Sequence, residues 1–317
     1  MELAPIVIFT FNRLEHTKRT IEALQSNILA KNSDIFIFSD EGRCIEERMV
    51  VREVRKYLKS INGFKSINII EAKENKGLAK SIIEGVTEII NDYGKVIVLE
   101  DDLITSQYFL KYMNEALNTY KDRRDIWSIS GYMPNIEIPN DYKDDICMIK
   151  RASSWGWGTW KDRWELNDWE LNDYYSFKNS KKMIKEFNKS GNDLTYMLED
   201  QIKGRINSWA IRWVYSQFKN NMWTIYPIKS FIENIGNDFS GTHCIATNKY
   251  NVELSRSMIK LNKNIKINEQ ICMSFKSKYD LNIVGYIGVV IKKIGLYRPA
   301  RKLRNKMFKI IKYKEYK

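Results

Sequence analysis

Three consecutive carboxylates, Glu100, Asp101 and Asp102, close the stretch KVIVLEDDL. The residues before them form a run apolar enough for a buried strand, and crowding like charges at its end is costly unless a cation offsets them. Two chemistries use acids placed this way. One holds Mg²⁺ or Mn²⁺ through one or two carboxylates while substrate phosphates complete the oxygen shell. The other gathers carboxylates around a metal pair for hydrolysis. Strand alternation would send Glu100 and Asp102 to one face and Asp101 to the other, which suits one metal ligand plus a second residue on a ribose or backbone group. A solvated acidic loop is the plainer alternative. It is disfavoured by the VIVL run directly before the acids and by the basic residues at other strand ends.

The elements that must position these acids are legible upstream. PIVIFTF, IFIFSD, SINIIEA and KVIVL are short β-rich runs, and each of the first three is followed by a segment with helical spacing: EHTKRTIEALQSN, IEERMVVREVRKYLKSI and GLAKSIIEGVTEIINDY. A further helix, SQYFLKYMNEALNTY, and a strand, IWSISGY, come after the acids. This alternation predicts an α/β fold with a mostly parallel central sheet and helices on both faces. Such sheets bind ligands beyond the carboxyl ends of their strands. There the sequence places Asn12 and Arg13, Ser39 and Asp40, then Asn75, Lys76 and Gly77, and the acid triplet.

The chain of 317 residues is 44% hydrophobic and 29% charged, enough for a substantial core. Its net charge of +13 calls for an anionic partner: nucleic acid, a membrane surface or a phosphate-bearing substrate. Cys44, Cys147, Cys244 and Cys272 form no CxxC pair, so zinc-type spacing is absent and a reducing compartment is expected. The start, MELAPIVIFTFNR, has no basic leader or cleavage site, which points to a cytoplasmic protein. IVGYIGVVI, ended by Lys292 and Lys293, is too short to span a bilayer.

APIVIFTFNR, FSDEG, NKGLAKS and VIVLEDDL, taken in order, resemble GT-A-fold glycosyltransferases, and most of all bacterial family 2-like sugar transferases related to the N-acetylglucosaminyltransferase I group. SSWGWGTW, SWAIRW and NIGNDFSGTHC extend the similarity to about residue 245. The resemblance implies a Rossmann-like domain over residues 1–250, with a nucleotide-sugar half (1–131) and an acceptor half (132–250), and a basic helical extension over 251–317. It further implies that Asn12 and Arg13 lie against the nucleotide and its diphosphate, that Asp40 accepts from the base (uracil N3–H), and that Lys76 and the Gly77 backbone lie near ribose or phosphate. Glu100 and Asp101 would contact ribose and sugar hydroxyls, Asp102 would bind Mn²⁺ or Mg²⁺, and His243 would reach the metal or diphosphate. The residues alone leave other roles open. Arg13 could cap a helix or pair with Glu15, Asp40 could be a turn residue, and Gly77 could relieve a tight loop.

Inverting transfer from a UDP-sugar needs a carboxylate to take the acceptor's proton. In relatives that acid lies near the start of the helix that SWAIRW resembles, but here Asn207 and Ser208 stand in its place. Asp200 is therefore the first candidate base, with Glu199 and Asp193 behind it. Trp155 and Trp157, alternating with glycine, could stack on the C–H faces of an acceptor sugar, and Arg151 could hold an acceptor phosphate. Packing in a small core is the other role open to the tryptophans, above all Trp160, Trp164 and Trp169.

Relatives of this kind act on glycans carried by lipid diphosphates in surface polysaccharide (O-antigen or capsule) assembly, which sets the expected acceptor and a peripheral position on the inner membrane face. The tail, residues 292–317, interleaves many Lys and Arg with Ile, Leu, Met and Phe and has Glu315 as its sole acid, as an anionic bilayer would require. A nucleotidyltransferase would also use acid-held Mg²⁺, yet no Gly-rich phosphate loop lies near the N-terminus. Nucleic-acid binding would explain the charge, yet no recognisable binding module is present, so no nucleic-acid partner is expected.

Overall fold

A computed structural model describes residues 2–236 and 250–293. His243 and most of the basic tail therefore lie outside the described residues. The first half alternates as its periodicity predicts: β1 (Ile6–Thr10), α1 (Leu14–Gln25), β2 (Asp34–Ser39), α2 (Ile45–Leu58), β3 (Ser66–Glu71), α3 (Leu78–Tyr93) and β4 (Lys95–Glu100). A short β5 (Leu103–Thr105), α4 (Phe109–Tyr120), β6 (Ile126–Ser130), β7 (Ile146–Ile149) and β8 (Trp157–Trp160) follow. The helices α5 (Lys161–Trp164), α6 (Tyr174–Lys178), α7 (Lys181–Phe187), α8 (Asp193–Ile202) and α9 (Trp209–Lys219) lead to β9 (Trp223–Pro227) and β10 (Ile232–Asn234). The described chain ends in α10 (Glu269–Tyr279) and α11 (Ile283–Lys293).

Eight strands form one sheet in the order β3-β2-β1-β4-β8-β6-β9-β7. β3, β2, β1 and β4 are mutually parallel, and only β8 and β7 oppose the common direction. Strand alternation splits the core in two. Ile6, Ile8, Ile97 and Leu99 face α1, α2 and α4 on one side, whereas Val7, Phe9, Val96 and Val98 face α3 and α9 on the other. Both faces are thus covered, as the unbroken apolar strands required.

β5, β7 and β8 were not anticipated, and the last two lie where aromatic or turn residues obscure the period. β8 is the segment WGTW, inserted between β4 and β6, and β7 follows the turn-rich stretch around residues 134–145. Residues 252–265 pack back onto the first core through Val252, Ile259, Leu261 and Ile265. α10 then covers β7 and β9 with Ile271 and Phe275 against Cys147, Ile149 and Tyr226. No helix among the described residues is long and apolar enough to cross a membrane.

Candidate functional site

The order β3-β2-β1-β4 places a topological switch point between β1 and β4. The chain leaves β1 through α1 toward β2 on one side and returns through α3 to β4 on the other. In an open α/β sheet the crevice beyond the carboxyl ends at such a point is where ligands bind. β1 delivers Phe11, Asn12 and Arg13 to this crevice, and β4 delivers the three acids. Register pairs Phe9 with Glu100, so the two strands end side by side.

Arg13 is the N-cap residue of α1, yet its side chain makes no cap bond and turns to the acids instead. One nitrogen, Nη2, contacts Asp101 Oδ1 and lies 2.9 Å from Asp102 Oδ2. The expected alternation therefore fails beyond Glu100. The strand stops there, the chain turns, and Asp101 and Asp102 come to face the same guanidinium. The Phe11 amide donates to Asp101 Oδ2 at 3.3 Å, and the Thr20 hydroxyl donates to the Asp101 carbonyl at 2.9 Å. Thr20 also accepts from the Leu103 amide, which pins the turn to α1 from below.

The opposite wall comes from far along the chain. β10 pairs antiparallel with β5, the Ile235 amide donates to the Asp102 carbonyl at 2.9 Å, and the Gly236 amide donates to Asn234 Oδ1. A Cβ on Gly236 would overlap Asp102 Oδ2 and stand 3.0 Å from Arg13 Nη1. Only glycine lets the backbone lie this close to the acid pair. Gly236 is a site residue that the sequence did not single out; it lies within NIGNDFSGTHC, which entered only as part of the resemblance.

Asp101 and Asp102 are only 4% and 6% exposed, so their charges matter. When all three acids are ionised, one guanidinium leaves a surplus of two negative charges. Burial, then repulsion from Asp102 and Asp101, pushes Glu100 up to about 8 despite the opposing pull of Arg13. Burial also raises Asp101, to about 6, against the lowering influence of Arg13. Burial would lower Arg13, but the two aspartates outweigh it and raise it instead. Among the described residues Glu100 makes no hydrogen bond or ion pair. The hard carboxylate oxygens and the surplus charge fit a hard dication, with Asp102 and Asp101 as the available ligands. No group of three His, Cys, Asp or Glu among the described residues could hold a metal alone, so other oxygens would have to complete its shell.

Asp40, also buried, has a role different from the one its position suggested. Its Oδ1 accepts from the amides of Glu41 and Lys76, and its Oδ2 from the Gly77 amide and the Asn75 side chain, at 2.9–3.2 Å. A carboxylate has about four lone-pair sites, and here protein donors take them all, so Asp40 shapes the loop over residues 75–77 and is not an open acceptor for a base. Gly77, at φ +74°, caps α3 in a conformation that other residues adopt only with strain. Lys76 turns outward to Glu84 at 2.7 Å. Arg55, on α2, ties the same region together by donating to the carbonyls of Ser39, Asp40 and Ala72. Nothing in the helical spacing of α2 distinguished it. Asn12 is half-buried beside Arg13.

The expected acceptor and base residues are rearranged. Arg151 and Asp193 pair with each other through two bonds of 2.8 Å, with the guanidinium 4.0 Å from the Tyr279 ring centroid. Arg151 is therefore not a free phosphate ligand, and Asp193 is held by a cation. Asp200 is buried beside Arg205 at 3.1 Å, and Glu199 pairs with Lys203. No hydrogen bond or ion pair among the described residues joins any of the three to the acid pair. Asn207 and Ser208 serve α9: Ser208 Oγ caps it by accepting from the Ile211 amide, and Asn207 accepts from Arg212. Trp157 is core, packed on Trp164, Trp209 and Trp213 at 5.2–5.8 Å, and so cannot face an acceptor. Trp155 remains partly exposed, edge-on to Tyr132 and Tyr250.

No family model matches the sequence. A search of curated proteins also returns no match. Among solved structures, 51% of the chain aligns with 46% of the mannosyltransferase PcManGT from Pyrobaculum calidifontis in complex with GDP-Man and Mn²⁺, at 10% identity and a TM-score of 0.35. A longer stretch, 73% of the chain, aligns with 60% of S. aureus TarS 1-349, at 11% identity and a TM-score of 0.39. The UDP complex of the same protein aligns at 12% identity and the same TM-score. The chain thus spans about half to three-fifths of the length of the structures it matches.

Proposed function

We propose that this protein is a metal-dependent glycosyltransferase that moves a sugar from a nucleotide-sugar, a UDP-sugar in our reading, to a glycan or lipid-linked oligosaccharide. One observation carries the reading: a buried aspartate pair with surplus negative charge sits at the switch point of a parallel sheet, bridged by Arg13 and closed by a glycine wall.

The protein's own groups would divide the work. A dication bound by Asp102 and the donor's diphosphate would offset the charge that develops on the leaving group. Arg13, charged and already at the crevice, would be placed to pair with the donor's diphosphate, and Asp101 and Asp102 are the residues that would hold the metal. The loop over residues 75–77, its Lys76 and Gly77 amides held by Asp40, would border the nucleotide as a fixed wall rather than as a donor of those amides. The close approach of Gly236 fixes Asp102 in a single orientation. Transfer is read as inverting, with Asp200 kept as the candidate base because its helix, α8, lies within the acceptor half. Trp155 is the aromatic surface left for an acceptor sugar.

Product analysis tests this directly. The wild-type protein, incubated with UDP-sugars, Mn²⁺ and a mixed glycan acceptor pool, should release UDP, and Asp102→Asn should release none while melting at a similar temperature. Release of pyrophosphate from a sugar phosphate and UTP would indicate nucleotidyl transfer instead. Undiminished UDP release by Asp102→Asn would overturn the assignment.

A further inference from the structure

α11 presents an aliphatic face to water. Ile283, Val284, Ile287 and Val290 are 79%, 74%, 53% and 56% exposed, and they follow one another at the spacing of a single helical stripe. Single exposed aliphatics are ordinary, whereas a contiguous stripe on a helix marks a surface that something covers. The helix is anchored. The Leu281 amide donates to Asn192 Oδ1 at 2.8 Å, and Asn192 Nδ2 donates to the Tyr286 hydroxyl at 2.9 Å, so the other side of α11 is turned to the start of α8. At Gly288 an added Cβ would meet nothing within 4 Å, which leaves the outward side uncluttered.

We propose that α11 lies in the plane of an anionic lipid bilayer, with Ile283, Val284, Ile287 and Val290 inserted among the acyl chains. The sequence around the stripe selects this occupant. From residue 281 to residue 314 there is no Asp or Glu, and Lys292 and Lys293 follow the stripe at once. Residues 292–317 hold eleven Lys and Arg against the single acid Glu315. Two copies of such a segment would repel one another across a dimer interface, whereas an anionic surface attracts each of them. The apolar run from Ile283 to Ile291 is nine residues long and is followed by Lys292 and Lys293, far short of the stretch of about 20 that a helical span needs, which suits a helix lying in the interface. This inference stands apart from the sugar-transfer reading. It rests on α11 and the tail composition, and no hydrogen bond or ion pair among the described residues joins α11 to the aspartate pair.

The test is sedimentation of the full chain with phosphatidylcholine vesicles, with or without about a third phosphatidylglycerol. Wild type should bind the anionic vesicles, bind neutral ones weakly, and keep part of its binding at salt that screens the tail. Ile287→Glu combined with Val290→Glu should weaken binding to anionic vesicles about tenfold or more, with an unchanged melting temperature because both side chains stand in solvent. Unchanged vesicle binding by that variant would overturn the proposal, since the tail would then suffice. Equal binding to neutral vesicles would also overturn it. So would a concentration-dependent dimer that the same substitutions abolish, which would make a second copy the occupant. UDP release from a soluble acceptor, measured in parallel, reports on the catalytic reading independently.

Discussion

Replacing Arg13 with methionine keeps most of the side chain's bulk and removes the only cation bonded to Asp101 and Asp102 among the described residues. Breaking a buried ion pair from one side costs about 3–5 kcal/mol, because the remaining charge is left uncompensated. Here the aspartates are nearly enclosed but Arg13 is 17% exposed, so some water reaches the site and a loss of about 2–4 kcal/mol is expected. In a domain of this size that lowers the melting temperature by ~3–7 °C. The loss should depend on pH. Asp101 is raised to about 6 and Glu100 to about 8, so the folded protein holds protons that the unfolded chain has released. A carboxyl raised in this way costs nothing below its ordinary range and its full amount above its folded value, so stability falls as pH climbs from about 4 to about 8. Without Arg13 to lower them, both acids rise further, and protonation at acid pH relieves the variant more than the wild type. Differential scanning fluorimetry in EDTA should therefore show a large gap between the two proteins at pH 8 and a small one at pH 5. An equal gap at both pH values would mean that Arg13 matters by packing alone, and the charge argument would fail.

Gly236→Ala should cost stability and donor affinity together, because its methyl would overlap Asp102 Oδ2; unaltered UDP affinity by calorimetry would contradict the close wall. Asp40→Asn leaves two of four donors facing an amide that cannot accept, a loss of about 2–4 kcal/mol, and limited proteolysis should then cut near residues 75–77; a loop as resistant as wild type would argue against its organising role. Trp157→Ala should destabilise by about 3–5 kcal/mol in urea unfolding, whereas Trp155→Ala should leave stability nearly intact and raise the acceptor KM; the reverse pattern would return Trp157 to the acceptor surface.

The first four strands and their helices were legible because their periods are clean and their apolar runs unbroken. The crevice followed from the same pattern, since strand order fixes where carboxyl ends converge. The second half was less legible. WGTW reads as an aromatic loop until its partners β4 and β6 are known, for tryptophan and glycine carry no clear alternation. Pairings across long sequence separations were hidden as well. Arg151 with Asp193, and Gly236 against Asp102, depend on the fold bringing distant segments together. Asp40 shows a subtler limit. Its position at a strand end was correctly read, but a carboxylate at such a place can serve the loop instead of the ligand, and only the donors around it decide.

The central claim is that the crevice between β1 and β4 holds a dication on Asp102 together with a nucleotide diphosphate. Crystals grown with UDP and Mn²⁺, with anomalous diffraction measured at the manganese edge, address it most directly. A peak between Asp102 and the diphosphate, with Arg13 swung from the aspartates toward phosphate, is the expected result. A peak elsewhere, or UDP bound with Arg13 still bridging Asp101 and Asp102 and no manganese beside them, would contradict it.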